Sequence, residues 1–229
     1  MIPSLRSPRH HLALVAAAMT LMGCAGADGR AAATARLQAT PDQWDAALPA
    51  VLTAGSSAAP HLIAGLETTP EAPGAQAATF ALGRVGDVAA VPLLAARLNR
   101  AEDHAYEAAI ALGRLGEAAA LEPLRAAATD RSQTPRVRAA AACSLLDLGD
   151  VGTAMPLLQA VLLLGTPHDR QLAAQHGFVR QDRWALERWL AIEAIARNSG
   201  GERFGLDPDA PWPQLRDGVA RWVEFVRSR

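Results

Sequence analysis

The chain has 229 residues, of which 50% are hydrophobic and 4% aromatic, so it can form a sizeable core in one or two domains. Nearly a quarter of the residues are alanine, which favours many closely packed helices over a sheet. All 22 basic residues are arginine, and this excludes mechanisms that need a lysine, such as Schiff-base chemistry or a P-loop. The formal net charge of −1 gives no electrostatic footprint for nucleic acid, which we therefore do not expect as a partner.

The N-terminus has the pattern of a secretory signal. Arg6 and Arg9 give it a positive start, and an apolar stretch from Leu12 to Met22 follows. A helix of that length would rise about 16 Å, roughly half the thickness of the hydrocarbon core of a bilayer. The segment is therefore predicted to be a signal peptide rather than a membrane span.

The end of this segment, Leu21-Met22-Gly23-Cys24, resembles the lipobox of bacterial lipoproteins. The resemblance implies that residues 1–23 are removed as a lipoprotein signal peptide and that Cys24 is lipidated. Ala25 in the next position implies release to the outer membrane, facing the periplasm. An ordinary signal peptide with a chance cysteine is the alternative. Residues 24–39 contain a single bulky apolar side chain, Leu37, and are predicted to form a flexible tether.

A repeat of about thirty residues follows. Each of its three clearest copies contains a motif like A-L-G, followed three residues later by a glycine and then by an acidic residue. A proline and a leucine come next in each copy. The copies begin at Ala81, Ala111 and Ser144. A weaker unit around Pro60 precedes them. Repetition at a nearly constant period predicts stacked units that cannot bury their apolar faces alone.

Each unit reads as two helices joined by a tight turn. In the first copy, Phe80, Leu82 and Val85 form an apolar stripe. Gly86 can adopt a left-handed conformation that ends the helix, and Asp87 can cap the next one. Pro92, which occurs in the first turn of the second helix, is tolerated there because that position needs no N–H donor.

This pattern resembles the short HEAT-like repeats named after phycobilisome lyases. The resemblance implies an all-α fold, an α/α superhelical solenoid of helical hairpins. We assign the repeats to residues 40–165, with the clearest copies at 72–165, and a C-terminal helical cap to residues 166–229. The third copy departs from the pattern at Leu146 and Asp147, which predicts a wider packing step and an Arg114–Asp147 contact.

The two ends are predicted to cap the stack. Thr40 and Pro41 start a helix in which Pro49 should cause a kink or a stop. Near the C-terminus, a helix from about 183 to 197, a turn over 204–211 and a final helix follow. Four of the five tryptophans lie beyond residue 180, where they can seal the open end of the solenoid.

Candidate catalytic or metal sites are weak. His104 and Glu107 lie three apart on a helix, but two ligands do not make a zinc site, and a solvated acidic first turn explains them better. His168 and His176 have no fixed partners in the sequence. Cys143 lies on an apolar helix and is predicted to be unreactive core. We therefore expect no catalytic residue, no metal and no cofactor.

An aromatic shelf at the C-terminal end is the one candidate ligand surface. Trp184, Trp189 and Trp212, together with Arg183 and Arg188, could bind a sugar or a peptide. Packing in the core is the competing explanation for these tryptophans.

The sequence therefore predicts a lipid-anchored envelope scaffold or adaptor that binds a protein through the concave face of the solenoid, and not an enzyme. The predicted partner-binding residues lie on the second helices and are Leu93, Arg97, Glu122, Arg125, Leu157 and Gln159. The alternatives are an accessory lyase-like enzyme, because phycobilisome proteins with similar repeats attach chromophores, and a module that binds a small molecule or glycan at the tryptophan-rich end.

Overall fold

The computed structural model describes residue 29 and residues 31–35, 44–100, 102–163 and 185–229. Helices are the regular elements of this part of the chain, with short 3₁₀ turns between some of them. The α-helices are α1 (Trp44–Ala54), α2 (Ala59–Thr68), α3 (Ala75–Val85), α4 (Val91–Arg97), α5 (Glu102–Leu115), α6 (Leu121–Thr129), α7 (Pro135–Asp147), α8 (Val151–Leu162), α9 (Ala185–Asn198) and α10 (Trp212–Arg227).

The helices form two layers, as the repeat predicts. The first helices of the hairpins, α3, α5 and α7, pack side by side, and α9 continues that layer. The second helices α4, α6 and α8 pack against the first helices, and α10 contacts α8. The all-α solenoid predicted from the sequence is thus confirmed in the described residues.

Glycines and small residues bring the first helices unusually close together. A Cβ atom on Gly83 would lie 2.6 Å from Ala111 Cα, and a Cβ atom on Gly113 would lie 2.9 Å from Ser144 Cα. Real Cβ atoms do not approach backbone so closely, so only glycine fits at these two positions. The glycine of the A-L-G step is therefore a packing residue at the interface between units.

The turns inside the hairpins follow the predicted chemistry. Gly86 ends α3 in a left-handed conformation with φ of 76°, which glycine adopts without strain. Asp87 accepts a hydrogen bond from the Ala89 N–H and so caps the 3₁₀ turn before α4. Asp150 caps α8 by accepting from Thr153 N.

The third copy of the repeat forms a different ion pair from the one that was predicted. Asp147 accepts two hydrogen bonds from Arg197 of α9, with Nη2 2.7 Å from Oδ2, and a third from Asn198. The expected Arg114–Asp147 contact is wrong, because α9 supplies a nearer cation. Leu146 is 3% exposed, and it lies on the side of α7 that faces α9 and α10.

The N-terminal helices also differ from expectation. Pro49 lies inside α1, which continues to Ala54, so the helix does not stop at the proline. A run of helical conformation over Ala46–Thr68 is long and apolar enough to cross a membrane, with mean hydropathy 1.2. In the structure this run packs against α3 and buries Leu62 and Leu66 completely or nearly so, and 28% of its most apolar window is buried.

Part of the predicted tether is packed on the protein. Residues 31–35 are helical, Ala33 packs against the hydrophobic core and Thr34 is 3% exposed. This stretch is therefore docked, although its composition predicts a free linker. Small residues can pack closely without bulk, and composition alone does not show this.

Two helices, α9 and α10, and the turn between them form the described C-terminal part of the chain. Gly200 and Gly201 end α9 with φ of 68° and 93°. Phe204 also has a positive φ of 54°, and its carbonyl accepts a hydrogen bond from Arg221 Nε at 3.0 Å. Its ring lies 5.1 Å from that of Phe225. These contacts fasten the turn onto α10.

We expect Gly113→Ala to lower the free energy of unfolding by about 1–3 kcal/mol, because the added methyl group must push α5 away from α7. Gly152→Ala is the matched control. It makes the same change on a helix where the new Cβ meets nothing nearer than 3.9 Å, so stability should stay the same or rise by up to ~1 kcal/mol. Denaturant unfolding followed by circular dichroism measures both, and equal midpoints would contradict the proposed close contact.

Candidate functional site

The two layers offer different surfaces. Neighbouring first helices approach one another closely through Gly83 and Gly113, whereas neighbouring second helices make few direct contacts. Because a two-layered stack curves towards the layer with the shorter spacing, we infer that the first helices line the concave side. We call the side chains of α3, α5, α7 and α9 that point away from the second helices the first-helix face.

A cavity opens on this face where α5, α7 and α9 meet. It has a volume of about 340 Å³, within the range of small-ligand pockets, and we call it the central cavity. Its apolar lining includes Ile110, Leu190 and Trp189. The Trp189 side chain lies at the rim with 48% exposure, and an exposed tryptophan beside an apolar cavity is typical of binding surfaces.

Charged groups surround the central cavity, and the two acidic ones on its walls are already paired. Asp147 binds Arg197, and Glu193 binds Arg203 with Nη2 2.6 Å from Oε1. In each pair the negative charge of the carboxylate is balanced by one arginine, so both acidic groups are already engaged.

Arg114 also borders the central cavity, but no carboxylate of the described residues lies within ion-pair distance of it. Its guanidinium carbon lies 5.0 Å from the centre of the Phe80 ring. Loss of water around it and repulsion from Arg84 and then Arg197 lower the pKa of Arg114, and Glu107 opposes them. The arginine nevertheless stays charged, because its ordinary pKa is far above neutrality.

Arg136 and Glu107 extend the polar part of the face towards the start of α5. The Arg136 guanidinium lies 4.1 Å from the centre of the Tyr106 ring and donates to Asp103 Oδ1 at 3.1 Å. Burial raises the pKa of Glu107, while Arg114 and Arg136 partly offset this effect. The face therefore alternates aromatic rings with arginines along the stack.

Cys143 lies on the wall of the central cavity, yet its thiol is buried. The residue is 7% exposed and forms no disulfide. Burial, with a smaller contribution from the negative charge of Asp147, raises the pKa of the Cys143 thiol to about 12. A thiol with so little thiolate at neutral pH is a poor nucleophile, and the geometry agrees with the predicted core role.

The predicted row of exposed second-helix residues is wrong at two positions. Arg97 is 2% exposed and Leu157 is 3% exposed, because Leu157 packs in the hydrophobic core and Arg97 is buried in a polar network with His104 and the Pro70 carbonyl. Leu93, Arg125 and Gln159 are half-buried, and Glu122 is exposed. Arg125 pairs with Asp150 at 2.6 Å and also with Glu122. The six residues therefore do not form the continuous exposed row that was predicted.

His104 is part of a polar network rather than a solvated helix start. Arg97 Nη2 donates to His104 Nδ1 at 2.9 Å, and His104 Nε2 lies 3.1 Å from Glu71 Oε2. Arg97 also donates to the Pro70 carbonyl. Both ring nitrogens are engaged, so His104 is not free to pair with Glu107 on a metal. The described part of the chain holds no group of three or more metal-ligating side chains.

The described tryptophans of the predicted aromatic shelf lie at different places. Trp189 borders the central cavity, whereas Trp212 is half-buried near the end of α8, where its Nε1 lies 3.4 Å from the Leu163 carbonyl. Arg216 lies 5.2 Å from the centre of the Trp212 ring. The tryptophan that seals the end of the stack is Trp222, at 1% exposure. Trp184 and Arg183 lie outside the described residues, as do Cys24, His168 and His176.

The described helices and their stacking define an α-helical repeat protein, a solenoid of helical hairpins. A family model of HEAT repeats matches residues 59–145 and 99–178, together more than half of the chain. The chain therefore belongs to the HEAT-repeat family. No curated protein gives a significant match to it.

Sequence reasoning did not identify the first-helix face as the candidate site. The signal was present in the repeat, because Arg84, Arg114 and Asp147 occupy the same position of successive units. A polar residue repeated within an otherwise apolar helix marks the exposed line of that helix. The apolar stripe of each helix fixes which side is buried, but not which layer is concave, and that choice needed the interhelical contacts.

We expect Cys143 to react at least about 100-fold more slowly with iodoacetamide at pH 9 than a free cysteine, because burial keeps its thiol protonated. Its folded pKa is raised, so this protection extends from the ordinary pKa of a thiol up to about 12. A Cys24→Ser background removes the only other cysteine. Denaturant should restore the ordinary rate, and rapid labelling of the folded chain would contradict the buried thiol.

Proposed function

We propose that the chain is a lipid-anchored scaffold or adaptor of the bacterial cell envelope that holds a protein partner on its first-helix face. HEAT repeats form helical scaffolds suited to protein interaction. The observation that carries the proposal is the central cavity with the half-exposed Trp189 at its rim. Tryptophan and arginine are the residues most often found at the energetic centres of protein interfaces.

This proposal moves the interaction surface from the second helices to the first helices. Leu157 and Arg97 are buried and cannot reach a partner without unfolding. By contrast, Arg84, Arg114 and Trp189 are exposed and lie on elements that pack side by side. A rigid helical layer can present such side chains with little loss of conformational entropy on binding.

A photo-crosslinking residue incorporated in cells at position 189 tests the surface. We expect a discrete, reproducible adduct with one envelope protein. The same crosslinker at position 122, which is exposed on a second helix, is the matched control and should give no such adduct. The absence of any adduct at positions 84, 114 and 189, or equal capture at 122, would reject the proposed face.

The proposed location in the cell envelope is based on the lipobox-like sequence that ends at Cys24. Several acyl chains on one cysteine give stable membrane attachment, whereas one chain gives only marginal binding. The alanine after the cysteine supports an outer-membrane destination that faces the periplasm. An anchored solenoid would then act on partners within reach of the membrane surface.

Metabolic labelling with an alkyne fatty acid tests the anchor. We expect label on the wild-type chain and its loss in Cys24→Ser, which should also leave the outer-membrane fraction. Cys143→Ser is the control, since Cys143 is the other cysteine of the chain, and it should keep both label and membrane location. Unchanged labelling of Cys24→Ser would show that the anchor assignment is wrong.

A further inference from the structure

The chemistry of the central cavity restricts what can bind there. Ile110, Leu190 and Trp189 give one part of its lining an apolar character. The carboxylates of Asp147 and Glu193 are held by Arg197 and Arg203. An apolar group that enters the cavity therefore meets no unpaired carboxylate on its walls.

Arg114 provides the complementary feature. Its guanidinium carbon lies over the Phe80 ring, 5.0 Å from the ring centre, and a cation–π contact does not use the N–H groups as hydrogen-bond donors, so they stay available to an anion. Arg84 lies near enough to repel Arg114, and it too has no ion pair among the described side chains. Glu107 offsets part of this positive charge, but it is not within ion-pair distance of either arginine.

A bound carboxylate would remove the repulsion between these arginines. Arginine binds carboxylates through two parallel hydrogen bonds, and the partial loss of water around Arg114 lowers its pKa and strengthens electrostatic attraction at that position. The arrangement thus combines an apolar cavity with an anion-binding group, because Arg114 itself lines the cavity.

We propose that the central cavity and Arg114, assisted by Arg84, bind an acidic hydrophobic peptide segment of the partner protein. A leucine or phenylalanine side chain of the segment enters the cavity against Trp189, and a neighbouring glutamate or aspartate binds Arg114. This inference rests on the proposed function, because it specifies which part of a partner the first-helix face recognises. The charge complementarity selects an acidic segment and rejects a basic one.

Fluorescence polarisation with the purified full-length chain tests this assignment. The probes are short acetylated peptides in which one Phe or Leu is flanked by Glu, with matched sets in which Gln or Lys replaces each Glu. We expect saturable binding of the Glu peptides, quenching of tryptophan fluorescence, and at least about tenfold weaker binding of the Gln set. The Lys set should not bind, and raising the salt concentration should weaken binding of the Glu set.

Variants of the chain locate the binding site. Arg114→Gln and Trp189→Ala should each weaken binding at least about tenfold, and both change exposed side chains, so the fold should persist. Arg216→Gln is the matched control, because Arg216 is an exposed arginine on α10 and should bind the peptides within twofold of wild type.

Equal effects of Arg114→Gln and Arg216→Gln, or equal binding of Glu and Gln peptides, would overturn the assignment. Failure of the proposed scaffold function would give a different result from failure of the peptide specificity. If an envelope protein is captured at position 189 but no acidic peptide binds, the scaffold function stands and the peptide specificity is wrong. If acidic peptides bind at Arg114 but no partner is captured in cells, the peptide site stands and the proposed function fails.

Discussion

The close approach of neighbouring first helices is the constraint on which the structure depends. Gly83 faces the backbone of Ala111, and Gly113 faces that of Ser144, so each hairpin covers the apolar side of the next. No unit of this size can bury both of its faces alone, and the stability of such stacks comes from contacts between nearest neighbours. The Ser144 hydroxyl, which donates to the Ala109 carbonyl at 2.8 Å, satisfies a polar group inside that same contact.

Tight packing of one layer also determines where a ligand can bind. The helices of the first layer are drawn together by glycine and alanine, while the second helices keep their bulkier Leu94, Leu124 and Leu158 in the core. We infer that this asymmetry curves the stack towards the first helices, which carry the exposed Arg114 and Trp189. Where α7 has Leu146 and Asp147 in place of glycine and arginine, the regular pattern ends, and the central cavity lies at that step.

Much of the fold was predictable because the residues that set the turns and helix caps of the repeat act locally. Gly86 and Asp87 act as the sequence indicates, since left-handed turns and helix caps depend on local chemistry. The partners of Asp147 and Arg97 were not predictable, because they depend on how far neighbouring helices are displaced. Asp147 binds Arg197 on α9 and not the predicted Arg114, while Arg97 lies buried where it donates to the Pro70 carbonyl and contacts His104.

The final helix has a consequence for how copies of this molecule can associate. Trp222 and Val219 of α10 turn inwards at 1% and 4% exposure, and Arg216, Asp217 and Glu224 face outwards. The final helix thus covers the end of the stack with its apolar side and presents charged side chains outwards. A further copy of the chain would meet charged groups here, where an uncapped repeat would present apolar ones, and this disfavours head-to-tail stacking of copies.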